Sequence, residues 1–223
     1  MAEHLSDEEQ LQALKNWWKE NGTTLVTAVL VGLIVYFGFQ WWQNHQRQQA
    51  EQASALYSQL LDIVDASGND RLSDEQKSTA TYLIKQLQDD YSRSQYAVNA
   101  SLFSAKMSVD DNDLPSAETS LKWAVEHANT HMGALAKLRL ARVYASSQKY
   151  DDALQLLADK DLDVDAFGSI KEELRGDILL AKGEVSAARE AYVKAQSTVG
   201  DNPSFRQRLL PIKIANLPVS GEK

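Results

Sequence analysis

The sequence has no cysteine, only four prolines, and no Asp, Glu, Lys or Arg anywhere between Asn21 and Gln46. Without thiols there is no disulfide framework and no Cys-based zinc site. No segment alternates polar and apolar residues with period two for long enough to suggest a sheet, and the prolines fall mostly in turns, so the fold class is all-α. Phosphate-binding Gly-rich loops and a Gly-x-Ser-x-Gly nucleophile turn are also missing. The net charge of −8 gives no basis for binding nucleic acid or adhering to anionic lipid.

The charge-free window is itself informative in a chain that is 24% charged. Leu25–Phe39 is apolar apart from Thr27, Gly32 and Gly38. As a helix, Thr23–Trp42 rises about 30 Å, the thickness of a bilayer's hydrocarbon core. Trp17 and Trp18 precede it, and Trp41 and Trp42 close it. Indole rings favour the headgroup level, so these pairs mark two membrane interfaces. A buried core helix would seldom be apolar all round. A cleaved signal peptide needs a basic start and a small-residue cleavage site close behind a shorter apolar run. Here Glu3, Asp7, Glu8, Glu9 and Glu20 outnumber Lys15 and Lys19, and the first Ala-x-Ala, Ala53–Ala55, lies well past the run. An uncleaved transmembrane helix is expected. Lys15 and Lys19 before it, against Arg47 alone after it, favour a cytoplasmic N-terminus. Within the span, Ala28 and Gly32 form a small-xxx-small pair that lets another helix approach.

Behind the span no Gly or Pro interrupts Gln43–Gln52, so the helix continues outward. Ala53, Leu56, Tyr57, Leu60, Leu61 and Val64 form an amphipathic stripe that ends at Ser67-Gly68-Asn69-Asp70. Ser73 caps the next helix, whose buried face is expected to be Ala80, Leu83, Ile84 and Leu87. From there the pattern repeats. Ala105, Ala141 and Gly176 align, as do Ala117, Ala153 and Ala188, then Leu121, Leu157 and Tyr192, and Val109, Ala145 and Leu180. Turns fall at Asp110–Asp113, Ser146–Lys149 and Lys182–Gly183. A period of about 34 residues, with small residues where paired helices cross, is the tetratricopeptide pattern. The consensus Trp is absent, only the middle copy has the expected Tyr (Tyr144), and only the third has the expected Gly (Gly176). A non-repetitive helical bundle is the alternative.

The expected organisation is a cytoplasmic tail over 1–22 and a transmembrane helix over 23–42. A helical extension with a first helix pair follows over 43–93, then three tetratricopeptide-like repeats over 94–200 and a C-terminal helix and tail over 201–223. Catalytic signals are poor. His127 and His131 have the i, i+4 spacing of metal ligands, but no third ligand is evident and Asn129-Thr130 is a turn. Asp110-Asp111-Asn112-Asp113 lacks the Gly and terminal Glu of a calcium loop. No enzyme, no cofactor and no metal site are expected. Stacked repeats instead present a concave wall. In the usual register Asn99, Leu102, Lys106, Val109, Leu135, Leu138, Arg142, Ile170, Glu173 and Asp177 face inward and suit a peptide or partner helix.

The acidic tail ending in Trp17–Gly22, the span closing in Trp41–Gln46, and the stretches Tyr96–Ala105, Ala134–Val143, Leu174–Asp177, Lys182-Gly183 and Lys213–Leu217 resemble the YfgM family, ancillary subunits of the bacterial Sec translocon. The resemblance covers nearly the whole chain. It implies a single-pass inner-membrane protein with a periplasmic tetratricopeptide-like domain. It also implies association with Sec translocon membrane subunits and with a membrane-anchored periplasmic chaperone of the prolyl-isomerase type, assistance to secreted client polypeptides, and a tie to envelope-stress signalling. It carries no catalytic residues. Pro211 departs from the family and is expected to kink or shorten the last helix. Two other classes remain: a helical-repeat scaffold for envelope assembly or cell division with no translocon role, and a membrane-bound hydrolase with an unrecognised site.

Overall fold

The computed structural model describes residues 7–67, 71–162, 167–199 and 207–218, and no strand occurs among them. The chain divides into two compact units, Met1–Gln52 and Ala53–Lys223. Helix α1, Asp7–Ser67, begins in the first and ends in the second. It starts within the segment expected to be a tail, so most of that tail is helical. Among the described residues α1 is the one helix long and apolar enough to cross a membrane. Its large apolar side chains from Leu25 to Trp42 are exposed within the protein. Thr27 donates its hydroxyl to the Thr23 carbonyl at 2.7 Å, which satisfies a polar group that lipid could not.

In the second unit, the end of α1 supplies Ala53 and Leu60 to a core with Ala80, Leu83, Ile84 and Leu87 of α2 (Asp74–Asp90) and Ala97 and Ala100 of α3 (Gln95–Asp110). Of the expected α1 stripe, Leu61 is left exposed. The expected α2 face is the buried one. Ser73 and Gln76 close a reciprocal capping box at its start, satisfying two otherwise orphaned amides.

Three helix hairpins follow: α3 with α4 (Leu114–His127), α5 (Thr130–Ser146) with α6 (Tyr150–Leu157), and α7 (Gly168–Ala181) with α8 (Val185–Ser197). Their turns are built alike. Asn112, Gln148 and Gly183 are the left-handed residues, with φ of 61°, 60° and 87°. In each turn the following amide, of Asp113, Lys149 or Glu184, donates to the carbonyl five residues back at 2.7–2.8 Å. This double-looped closure satisfies the last carbonyls of the first helix. Ala117, Ala153 and Ala188 are fully buried where each second helix begins, and Leu121, Leu157 and Tyr192 are buried one turn on. The register expected from the sequence is therefore the register of packing at these positions. Val109 and Leu180, also in register, are exposed instead.

Helix α6 is shorter than α4 and α8 for a visible reason. Ala124 and Ala195 continue the buried faces of α4 and α8, whereas the equivalent residue of the middle copy is the exposed Lys160. The chain instead turns through Lys160–Leu162, burying Leu162, while Lys137 grips Asp159 at 2.5 Å and Asp161 at 2.8 Å. The last helix, α9, is Leu210–Ala215. Pro211 sits in its first turn, where the missing N–H costs nothing, so it opens the helix and does not kink it.

Candidate partner-binding surfaces

At each helix crossing a small residue faces a large one, and the third hairpin shows why. A Cβ placed on Gly176 would lie 2.5 Å from the Tyr192 ring. Gly176 therefore admits a ring where the first two copies pair Ala105 and Ala141 with leucines. The Tyr192 hydroxyl donates to Asp177 Oδ1 at 2.7 Å. Burial first, and then this bond, push its pKa up.

Asp177 and Glu173 were expected on an open inner wall, and the protein's own C-terminal segment covers them. From α9, Lys213 Nζ donates to Asp177 Oδ1 at 2.6 Å and to Glu173 Oε1 at 2.8 Å, and it stands 5.4 Å from the Tyr192 ring centre. Burial pulls the Lys213 pKa down, but the bonds to Asp177 and Glu173 outweigh it and the net shift is upward. Leu210 and Leu217 flank the contact, packing on Leu179, Ala188 and Tyr192. The acidic end of the expected groove is thus occupied by Lys213, with Glu173 buried and the Asp177 side chain still part-exposed.

The basic end is open. Leu102, Lys106 and Val109 of α3 face Arg139, Arg142, Val143 and Ser146 of α5 across a cleft of about 320 Å³, floored by Ala105, Leu114 and Leu121. Lys106 donates to Asp110 on its own helix at 2.6 Å. Four further residues expected on the inner wall lie elsewhere. Leu138 is 1% exposed and packs with Ala141, Leu157 and Ile178, so it is core and not groove. Leu135 and Ile170 are half-buried against the same kind of apolar cluster, and Asn99 is half-buried on α3 away from the cleft lining. Arg139 was missed, although its i, i+3 spacing to Arg142 puts it on the same helix face. Lys213 was missed because its partners lie 36 and 40 residues away with no repeat period to link them.

His127 and His131 lie on different helices, α4 and α5. His127 stacks on Trp123 at 4.0 Å, and Asn129 caps α5 between the two histidines.

On the first unit, Trp17, Trp18, Trp41 and Trp42 are all exposed, at 47–71%. Gly22 packs against the Trp18 ring, and Trp41 stacks on His45 with centres 5.7 Å apart. Ala28 and Gly32 are exposed, and a Cβ on Gly32 would meet nothing within 4 Å.

A family model described as a tetratricopeptide repeat-like domain matches residues 15–219. Proteins named ancillary SecYEG translocon subunit match over 218 residues. The one from Haemophilus influenzae is 33% identical, covering 97% of this chain and all of its own length. Those from Escherichia coli (28%, covering 96% of this chain and 98% of its own) and Neisseria gonorrhoeae (29%, covering 97% and 100%) match as fully. The chain belongs to the YfgM family. Membership takes in both surfaces, because the matched region runs from ahead of Trp17 to beyond α9. No solved structure matches the chain.

Proposed function

We propose that the chain is a non-enzymatic, single-pass inner-membrane protein that associates with the SecYEG translocon. Its repeat domain stands on the periplasmic side and engages a membrane-anchored chaperone of the prolyl-isomerase type and emerging client polypeptides. A role in envelope-stress signalling belongs to the same reading. The observation that carries the proposal is the end-to-end match to ancillary translocon subunits, anchor and repeats together. An isolated repeat match would favour any scaffold. Support for the anchor comes from a helix whose large apolar side chains from Leu25 to Trp42 are exposed among the described residues, since such a surface is stable in lipid and costly in water. Support for the orientation comes from Lys15 and Lys19 against Arg47.

The test is purification of the full chain from membranes in mild detergent. SecY, SecE and SecG are expected in the eluate, with the chaperone present at a comparable level. Recovery of envelope-assembly or division proteins without translocon subunits would favour the scaffold reading.

A further inference from the structure

The position held by Lys106 in the first hairpin is Arg142 in the second and Asp177 in the third. At Asp177 the following helix answers with an opposite charge, Lys213, and the contact closes. At Lys106 the following first helix answers with Arg139 and Arg142, charges of the same sign, and an apolar cleft of about 320 Å³ stays open between them. Three cations line that cleft and, among its described lining residues, no carboxylate does; Asp110, which pairs with Lys106, lies outside the lining. Its floor of Ala105, Leu114 and Leu121 is apolar, and Leu102 and Val109 add apolar side chains to one wall. The volume is at the lower end of ordinary ligand clefts, which span about 300–1,000 Å³.

We propose that this α3–α5 cleft is the docking site for an acidic, amphipathic segment of a partner protein. One large apolar side chain of the segment enters between Leu102 and Val109, and a neighbouring carboxylate meets Arg139, Arg142 and Lys106. The closed contact at the other end of the domain shows the same chemistry with the signs exchanged. There, apolar Leu210 and Leu217 flank a single charge, Lys213, which meets a pair of carboxylates. A carboxylate in the α3–α5 cleft complements the cations that line it, and the apolar anchor supplies most of the affinity. The inference rests on the interaction role proposed above and names the chemistry of one partner segment.

The experiment uses the full chain in nanodiscs of zwitterionic lipid, titrated into a fluorescent peptide that interleaves Leu and Phe with Glu. Saturable binding that weakens with salt is expected. Replacing Glu by Lys, or Leu and Phe by Ser, in the peptide should abolish it. In the protein, Arg139→Glu with Arg142→Glu, and separately Val109→Asp, should each lower affinity by about tenfold or more. Circular dichroism and the unfolding midpoint report whether the variants are folded. The exposed side chains of Val109 and Arg139 make these substitutions compatible with folding. Equal binding of the Lys peptide overturns the proposal, as does unchanged affinity in both folded variants. Laurate binding in the cleft with no binding of the Glu peptide also overturns it, and assigns the cleft to an anionic amphiphile. Co-purification of SecYEG with the unaltered chain is measured beside it. Its persistence while peptide binding fails sinks only the cleft assignment, and its absence sinks the translocon reading whatever the peptide does.

Discussion

Gly176 and Tyr192 are the pair at which a single atom has the clearest consequence. Because a Cβ at 176 would fall 2.5 Å from the ring, Gly176→Ala should cost about 1–3 kcal/mol in urea unfolding, the usual scale of overpacking. The double change Gly176→Ala with Tyr192→Leu recreates the alanine–leucine pair of the first two hairpins and should recover part of that loss. It will not recover all of it, since the bond to Asp177 goes too. No rescue would mean that the crossing is not shared among the copies. Residue chemistry also sets the pH response. Asp113 is lowered by the Ser116 bond, Glu118 by Lys122 and Lys149, and Asp159 by Lys137 and the Asp161 amide. A carboxyl with a lowered folded pKa contributes fully above its unfolded value and loses that contribution as the pH falls through the folded one. The thermal midpoint should therefore be level from about pH 7 to 5 and fall below about pH 4. Lys149→Gln, which removes one partner of Glu118, should make the acid fall shallower. Lys213, raised above its ordinary value of 10.5, has the opposite sign. Its contribution is complete below that value and is lost as the pH rises beyond the folded one.

Among the elements, the hairpin turns show how far local chemistry reaches. All three need a left-handed residue, and only the third uses glycine. For an ordinary L-residue that conformation costs about 1 kcal/mol. Gln148→Gly should accordingly raise stability by about 0.5–1 kcal/mol and Gly183→Ala lower it by a similar amount, both read from denaturant midpoints. Opposite signs are the point of the pair. Ala153 or Ala188 replaced by a large residue should each cost about 1–3 kcal/mol, because both are fully buried at a crossing. The turns, the small crossing residues and the α2 face were legible because each is decided by neighbours in sequence or by a repeat period. The shortening of α6 was also written there, in Lys160 standing where the other copies have Ala124 and Ala195. The contact of Lys213 with the acidic end was not legible. It joins residues 36 and 40 apart across a segment with no repeat partner, and periodicity says nothing about such contacts. For the same reason the expected continuous inner wall became a basic cleft, a buried Leu138 and an acidic pair held by Lys213.

For the molecule as a whole, the charge-free window and the repeat period alone separate the candidate span from the repeat domain. The structure draws the boundary at Gln52–Ala53, ten residues beyond the expected end of the span, because α1 runs on unbroken and Ala53 is its first residue to enter the core of the second unit. Membrane insertion rests on composition, and a protease test in cells with a permeabilised outer membrane checks its sense. The domain behind the span should be degraded and the N-terminal segment spared. The association with the translocon is tested most directly by placing a photoreactive residue at Ala28, on the exposed small-residue face of the span, and irradiating intact cells. Adducts with SecY, SecE or SecG are expected, and they should vanish when residues 23–42 are exchanged for an unrelated apolar helix. Equal yields from the unrelated helix, or no translocon adduct from the native one at normal expression, would contradict the association.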